Sequence, residues 1–372
     1  MNSTYRICQR CVMDTSDAEI VFDQHGICNH CVRHDEKLAL TPANQSGTPP
    51  RLDQLVARIK AASKGNYDSI IGLSGGVDSS YVALVAKKIG LRPLAIHFDN
   101  GWNSELAVHN IEQIVKKLKI DLQTYVIDWE EFRDLQRSFF NANVIDVEMV
   151  TDHAIFASMY RLAKQHGIRY ILSGTNVATE SVMPRSWLHL KSDLRNLKAI
   201  QRRFGTVKIR SFPTMSIWKM AYYHYLGNIT SVSLLDYVPY KKRDAMSVMH
   251  DELDWKYYGG KHYESVFTKF YQAHILPKKF GVDKRRCHLS NLILNNEITR
   301  EEALNELEQP LYDPVELERD REFVLKKLGF SRADFEAYLT APAIPHSAYP
   351  SHAQIASRLI SVRRKFTQRL GS

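Results

Sequence analysis

Nowhere in the 372 residues does an apolar run approach the ~20 residues that a membrane-spanning helix needs. The opening stretch 1–11 also lacks the apolar stretch of a signal peptide. The expectation is a soluble, cytoplasmic protein with no membrane span. No internal repeat or low-complexity tract is present, which excludes solenoids and largely disordered chains. Two phosphate-binding signatures are missing as well: GxxxxGK[ST], with its lysine, and the dinucleotide motif GxGxxG. Cysteine is scarce, with five residues, four of them before position 32. Past that head only Cys287 remains, in Lys284-Arg-Arg-Cys-His288, and it reads as a packed thiol. Sulfur-transfer enzymes usually keep a reactive cysteine or a cysteine pair in their catalytic region, so that class is disfavoured. The chain begins Met-Asn, so loss of Met1 exposes no cysteine nucleophile, and no segment is long enough to add a glutaminase domain.

What is present starts with a core-forming composition: 44% hydrophobic and 24% charged residues. Fifty Lys and Arg against 41 Asp and Glu give +9, which points to an anionic partner such as a nucleotide, phosphosugar or nucleic acid. Much of the excess is local, since 185–210 carries Arg185, Lys191, Arg195, Lys198, Arg202, Arg203, Lys208 and Arg210 against Asp193 alone. That stretch could hold a diphosphate or a substrate carboxylate. Leu188, Leu194 and Leu197 fit an ordinary amphipathic helix equally well.

Three regions separate: a cysteine-bearing head and linker over 1–50, an α/β region over 51–235 and a mostly helical region over 236–372. The turn-rich stretch 41–50 reads as the linker. Helical spacing over 52–62 precedes short apolar runs at 69–73, 93–98, 122–127 and 170–172, which alternate with helical patterns. That rhythm predicts a parallel α/β sheet. Further on, Thr299 and Glu302 predict a capping box, and Gly329 should stop a helix that starts near Pro314. From Ser351, Ile355, Leu359, Val362, Phe366 and Leu370 share one helical face, expected to dock on the body.

The most informative residues are Ser74-Gly-Gly-Val-Asp-Ser-Ser80, between the run 70–73 and a helical pattern over 81–88. A strand turning through two glycines into a helix offers backbone N–H groups and the positive helix end to an anion. Gly75 and Gly76 allow the turn and a close approach, while Ser74, Ser79 and Ser80 offer hydroxyl donors. Asp78 suits holding Mg²⁺ or orienting the loop. The pattern SGGxDS resembles the PP-loop of ATP pyrophosphatases, a Rossmann-like, adenine nucleotide alpha hydrolase-like fold that includes asparagine, GMP and NAD synthetases and several tRNA-modifying enzymes. The resemblance implies cleavage of ATP between its α and β phosphates, with the loop gripping pyrophosphate. It also implies that Asp99, in His97-Phe-Asp-Asn-Gly101, contacts the adenosine; an Asp-Asn-Gly turn is the plain alternative. Gly174 and Thr175, after the run 170–172, would sit beside the same nucleotide.

Cys8-x2-Cys11 and Cys28-x2-Cys31, with sixteen residues between the pairs, have the spacing of a four-thiolate zinc knuckle, and Asp23-Gln-His-Gly26 between them reads as a hairpin turn. So short a head buries little core, so a structural metal is its natural stabiliser. An iron–sulfur cluster or two labile disulfides are the alternatives.

Across nearly the whole chain the sequence resembles the N-acetyl sugar amidotransferases of bacterial surface-polysaccharide synthesis. The likeness rests on Cys8-Gln-Arg-Cys-Val-Met-Asp14, 26–31, the glycine loop, 255–268, 280–286 and 298–304. It implies ATP, Mg²⁺ and structural Zn²⁺, and conversion of the acetamide of a UDP-linked N-acetyl sugar, such as a uronic acid, into an acetamidine for LPS O-antigen. It further implies ammonia from a separate HisH-like glutaminase through a HisF-like channelling protein, and no nucleic-acid partner. Phosphate charge developing in such a reaction requires cations, for which Lys261, Lys284, Arg285 and Arg286 are the candidates. Glu148 and His153 are weaker candidates for a general base. A PP-loop enzyme modifying tRNA by thiolation-type chemistry, or a non-catalytic nucleotide-binding scaffold, are the competing readings.

Overall fold

Five short segments form one parallel sheet: β1 (Ser69–Gly72), β2 (Pro93–Asp99), β3 (Leu122–Val126), β4 (Tyr170–Ser173) and β5 (Thr230–Ser233), in the order β3-β2-β1-β4-β5. They belong to a computed structural model that describes residues 5–45, 51–260 and 263–353. The side-chain period of two explains the layers. Ile70 packs with Leu94, Ile96, Ala157, Leu162 and Ile171 on one face, while Ile71 packs with Val82, Ala95, Ile111 and Leu172 on the other. Both faces are covered by helices, as a parallel sheet requires.

In chain order the helices are α1 (Asn29–Ala39), α2 (Arg51–Ala62), α3 (Val77–Lys88), α4 (Glu105–Leu118), α5 (Trp129–Asn141), α6 (Met149–Gln165), α7 (Val177–Glu180) and α8 (Leu194–Phe204). They continue with α9 (Ile217–Ala221), α10 (Lys242–Leu253), α11 (Val266–Phe270), α12 (Leu276–Phe280), α13 (Arg285–Leu294), α14 (Arg300–Glu308), α15 (Pro314–Leu328) and α16 (Arg332–Thr340). The architecture is therefore the expected α/β one. Four strands fall where the apolar runs place them; β5 is an addition, four residues at the sheet edge of which only Val232 is apolar and none is buried.

Local signals hold where they can be checked. Thr299 and Glu302 form the reciprocal capping box of α14, and α15 begins at Pro314 and ends at Gly329 in the left-handed conformation. The Asp23–Gly26 turn closes with a Gly26 N–H to Asp23 carbonyl bond of 3.0 Å. The linker carries a 3₁₀ turn over Pro42–Asn44. The apolar stripe from Ile355 to Leu370 lies outside the described residues, as do 46–50. Among the described residues no helix is long and apolar enough to cross a membrane.

The largest core cluster joins α5, α8 and the C-terminal helices, with Phe132, Phe140, Phe267, Phe270 and Phe335 at its centre. The head is bolted to this helical region. Arg300 donates to the carbonyls of Cys8 (2.9 and 3.1 Å) and Cys11 (3.1 Å), Arg286 pairs with Asp14 at 3.0 Å and donates to the Val12 carbonyl, and the Val12 N–H reaches Ser290 Oγ at 3.2 Å. Arg286, a sequence candidate for phosphate binding, is thus a tether between head and body.

Candidate active site

The chain runs β1 to β3 toward one edge and then returns to place β4 on the other side of β1, so the topological switch lies between β1 and β4. Crevices of this kind, off the carboxyl ends of the strands, are where open α/β sheets bind ligands. Here the loop after β1 is the glycine turn. Gly75 has φ +79°, and a Cβ on it would stand 2.5 Å from the Ala107 carbonyl oxygen, so only glycine fits. Its own carbonyl accepts from the Trp255 indole at 3.0 Å. Gly76 is the N-cap of α3. Ser74 and Ser79 Oγ atoms are 3.1 Å apart, the Ser74 N–H donates to Ser79 Oγ at 3.3 Å, and the Gly76 N–H donates to Ser74 Oγ at 3.2 Å. The loop after β4 meets this turn: a Cβ on Gly174 would lie 3.2 Å from the Ser79 amide nitrogen.

Two further side chains reach the loop from the C-terminal region. The Tyr240 hydroxyl donates to Asp78 Oδ1, and the Val77 N–H donates to the Tyr258 hydroxyl at 3.0 Å. Burial, reinforced by Asp78 for Tyr240 and by Glu264 for Tyr258, pushes both phenols well above their usual range, so both stay protonated.

A small cavity of about 170 Å³ is lined by Ser74, Gly76, Asp78, Ser79, Gly174 and Glu264, among others. A larger one of about 700 Å³ shares Ser74, Thr179, Glu180 and Glu264 with it and extends along β2 and α6 past Phe98, Asn103 and Glu148 to Lys191 and Lys284. Such a size falls in the range of small-ligand sites. The arrangement offers a phosphate cradle at one end and, at the other, a polar wall of paired charges. Lys191 pairs with Asp146 at 2.7 Å and Asp152 at 3.0 Å, and Lys284 with Glu148 at 3.4 Å.

Not every candidate residue faces these cavities. Ser80 lines neither cavity: its hydroxyl is fully buried on the inner face of α3 with no partner among the described residues, because a helix turns Ser79 and Ser80 in different directions. Asp99 accepts from the Gly101 N–H at 2.8 Å and so builds the turn, while its neighbours Asn100 and Asn103 line the large cavity. Thr175 lines that cavity too. Arg285 is spent on Asp283 and on the carbonyls of Glu306, Leu307 and Gln309, which makes it a clasp for the end of α14. Lys261 lies outside the described residues. His153 is buried with its Nδ1 at 2.7 Å from the Lys191 carbonyl and its Nε2 accepting from the Met215 N–H at 3.1 Å, so neither nitrogen can serve as a base. Of the basic stretch, Lys191 and Leu188 line the large cavity, whereas Leu194 and Leu197 pack inward on α8. Tyr240, Tyr258, Glu264 and Gln272 carry no motif of their own, although the last three lie in or beside the segment 255–268.

The four head cysteines form a separate centre. All are buried, and their sulfurs lie within 4.8 Å of one another, with Cys8–Cys31, Cys11–Cys28 and Cys28–Cys31 at 3.8, 3.6 and 3.7 Å. A tetrahedral ion with 2.3 Å bonds to sulfur sets edges of about 3.8 Å, so the donor set and its spacing fit a metal. No pair is bonded as a disulfide. Cys287 is buried and donates to the Lys284 carbonyl at 3.0 Å, as a packed thiol does.

Residues 62–191 match the asparagine synthase family model, a PP-loop domain, and residues 264–363 match the C-terminal domain of LPS biosynthesis protein WbpG-like proteins. The chain carries a PP-loop domain of the asparagine synthase type and a WbpG-like C-terminal domain. Among curated proteins it is similar to the glutamine-hydrolysing GMP synthase of Thermosipho africanus, 35% identical over 30% of this chain and 22% of that protein. It is also similar to that of Vibrio cholerae, 41% identical over 22% of this chain and 15% of the relative. The chain thus spans less than a quarter of the length of these relatives. Among solved structures, a predicted subunit of tRNA methyltransferase from Methanocaldococcus jannaschii aligns with 48% of this chain and 74% of its own, at 16% identity and a TM-score of 0.29. The PP-loop match begins in α2 and ends just past the 3₁₀ turn at Arg185–Trp187, so it contains the loop after β1, the turn after β2 and the loop after β4. The WbpG-like domain supplies Glu264, Gln272 and Lys284 to the wall of the same cavity. A PP-loop domain of this kind implies ATP and Mg²⁺.

Proposed function

We propose that this protein is an ATP-dependent amidotransferase acting on the acetamide of a UDP-linked N-acetyl sugar, with a uronic acid the favoured class, and that it makes an acetamidino sugar for a surface polysaccharide. The observation that carries the reading is the meeting of the SGGxDS turn and the WbpG-like domain around one continuous pair of cavities.

An amide carbon resists ammonia until its oxygen is masked. The acetamide oxygen attacks the α-phosphorus of ATP, the bond to the β-phosphate breaks, and pyrophosphate leaves into the turn formed by Ser74, Gly75, Gly76 and Ser79. Ammonia then adds to the O-adenylated carbon, and AMP departs with the former acetamide oxygen. Asp78 and the carboxylates of Glu180 and Glu264, which line the small cavity, supply the oxygens that Mg²⁺ prefers. Thr175, Gly174 and the turn at Asp99 border the nucleotide, and Lys284 with Lys191 offsets phosphate charge.

The head's four thiolates hold zinc in a closed structural site. Residues 1–50, 51–235 and 236–372 serve as head, nucleotide domain and substrate region. The chain works in the cytoplasm, with ammonia supplied by a separate HisH-like glutaminase and a HisF-like protein. The test is direct: purified protein is incubated with ATP, an ammonium salt and a panel of UDP-N-acetyl sugars, and the products are weighed. One sugar should exchange its acetamide oxygen for NH with release of AMP and pyrophosphate, and use of glutamine by the pure chain would contradict the reading.

A further inference from the structure

A third cavity, of about 240 Å³, lies beside the large one, and the two share Gln272, Lys284 and His288 in their walls. These three side chains are therefore the partition between this side chamber and the place where the sugar would be activated. On the inner side stands Glu148, whose Oε2 accepts from Gln272 Nε2 at 3.1 Å and from Lys284 Nζ at 3.4 Å. Both bonds converge on Oε2, and Oε1 accepts from none of the described residues. Glu148 is also mostly buried, with a side chain 13% exposed, at the N-cap position just before α6.

The amidation needs such a group at such a place. Addition of NH3 to the adenylated carbon forms a C–N bond and leaves the new nitrogen with three hydrogens and a positive charge. One proton must leave that nitrogen before the C–O bond to AMP breaks and AMP departs with its electron pair, giving the amidinium. His153 has both nitrogens engaged, Asp152 is paired with Lys191, and Glu180 and Glu264 stand at the glycine-turn end, so among the carboxylates of the large cavity Glu148 is the one bonded to the partition.

We propose that this chamber, walled by Leu292, Met246 and Ala273 together with charged groups such as Arg243 and Glu297, is the entry port for ammonia, and that Glu148, across the partition in the large cavity, is the catalytic base that takes the proton of the adding nitrogen. This rests on the function proposed above and adds the route and the base to it. A carboxylate flanked by Lys284 both receives the proton and, once neutral, leaves the lysine charge to face the departing adenylate.

The experiment separates the two half-reactions of the full-length protein. Sugar-dependent exchange of labelled pyrophosphate into ATP reads adenylation alone, and ammonium-dependent AMP release reads the whole reaction. For Glu148→Gln the exchange should stay within about threefold of wild type while AMP release falls at least about 100-fold. Leu292→Trp, which fills the side chamber, should raise the KM for ammonium about tenfold and leave the KM for ATP unchanged. Equal loss of exchange and turnover in Glu148→Gln, or full turnover, would overturn the role of the carboxylate, and an unchanged ammonium KM in Leu292→Trp would overturn the port. If wild type shows neither exchange nor turnover with any sugar of the panel, the underlying function fails first, and that outcome is distinct from either of these.

Discussion

The Tyr240 hydroxyl donates its proton to Asp78 Oδ1, joining residues 162 positions apart and fixing the acidic member of the glycine turn from outside the turn itself. Burial raises the Tyr240 pKa, so this donor persists throughout the physiological pH range. Tyr240→Phe should therefore leave the fold intact and remove one of the groups that orient Asp78, with kcat reduced about tenfold and less change in the KM for ATP. Steady-state kinetics at several Mg²⁺ concentrations would check this, since a less firmly oriented carboxylate also weakens the metal dependence.

Removal of the loop's own groups should be more severe. Ser74→Ala and Asp78→Ala are expected to fold, because both side chains border a cavity, and to lose pyrophosphate formation by at least about 100-fold. A pyrophosphate assay beside a thermal melt distinguishes lost chemistry from lost structure.

Gly75→Ala should act on stability as well as on activity. Its positive φ and the 2.5 Å approach of the new Cβ to the Ala107 carbonyl oxygen both oppose the substitution. A loss of about 2 kcal/mol is expected, read as a lowered midpoint in urea.

The head should respond to metal rather than to substrate. Cys31→Ser, or a strong chelator, is predicted to release one equivalent of zinc and to cost roughly 3 kcal/mol of stability, because Arg300 and Arg286 lose the ordered carbonyls and carboxylate they hold. Metal analysis together with calorimetry measures both. Retained metal or an unchanged melt would leave the four sulfurs without a structural role.

Acid should weaken the packing around His346. Burial drives this imidazole down to about 3, and its Nε2 accepts from the Asp146 N–H at 3.3 Å while Nδ1 lies 2.8 Å from Asn196 Oδ1. The folded protein thus favours the neutral ring. Its contribution is complete above the unfolded value near 6.5 and is lost as pH falls from there toward 3. Between pH 6.5 and 5 this amounts to about 2 kcal/mol, and urea midpoints for wild type and His346→Gln should converge over that interval.

Much of this arrangement was legible in the chain. The four apolar strands, the glycine turn and the cysteine pairs announce themselves because each is local: a run of Ile and Leu, a pair of glycines between strand and helix, a fixed spacing. β5 escaped because Thr230–Ser233 is short, lies at the sheet edge and has Val232 as its one apolar side chain, too little to make an apolar run. The triplet Lys284-Arg-Arg286 shows the other limit. Consecutive side chains on a helical path point in different directions, so one lysine faces the cavity, one arginine clasps α14 and the other holds the head, and nothing in the triplet itself distinguishes them. Ser79 and Ser80 divide in the same way. Contacts that span more than a hundred residues, such as Tyr240 with Asp78 and Gln272 with Glu148, have no local signature at all.

The central claim concerns where the acetamide oxygen goes. With the substrate sugar labelled with ¹⁸O in its acetamide, and with ATP and ammonium present, the account predicts that the label appears in AMP, with none in pyrophosphate and no ADP formed. Release of ADP and phosphate, or AMP that carries no label while the acetamidine accumulates, would contradict it.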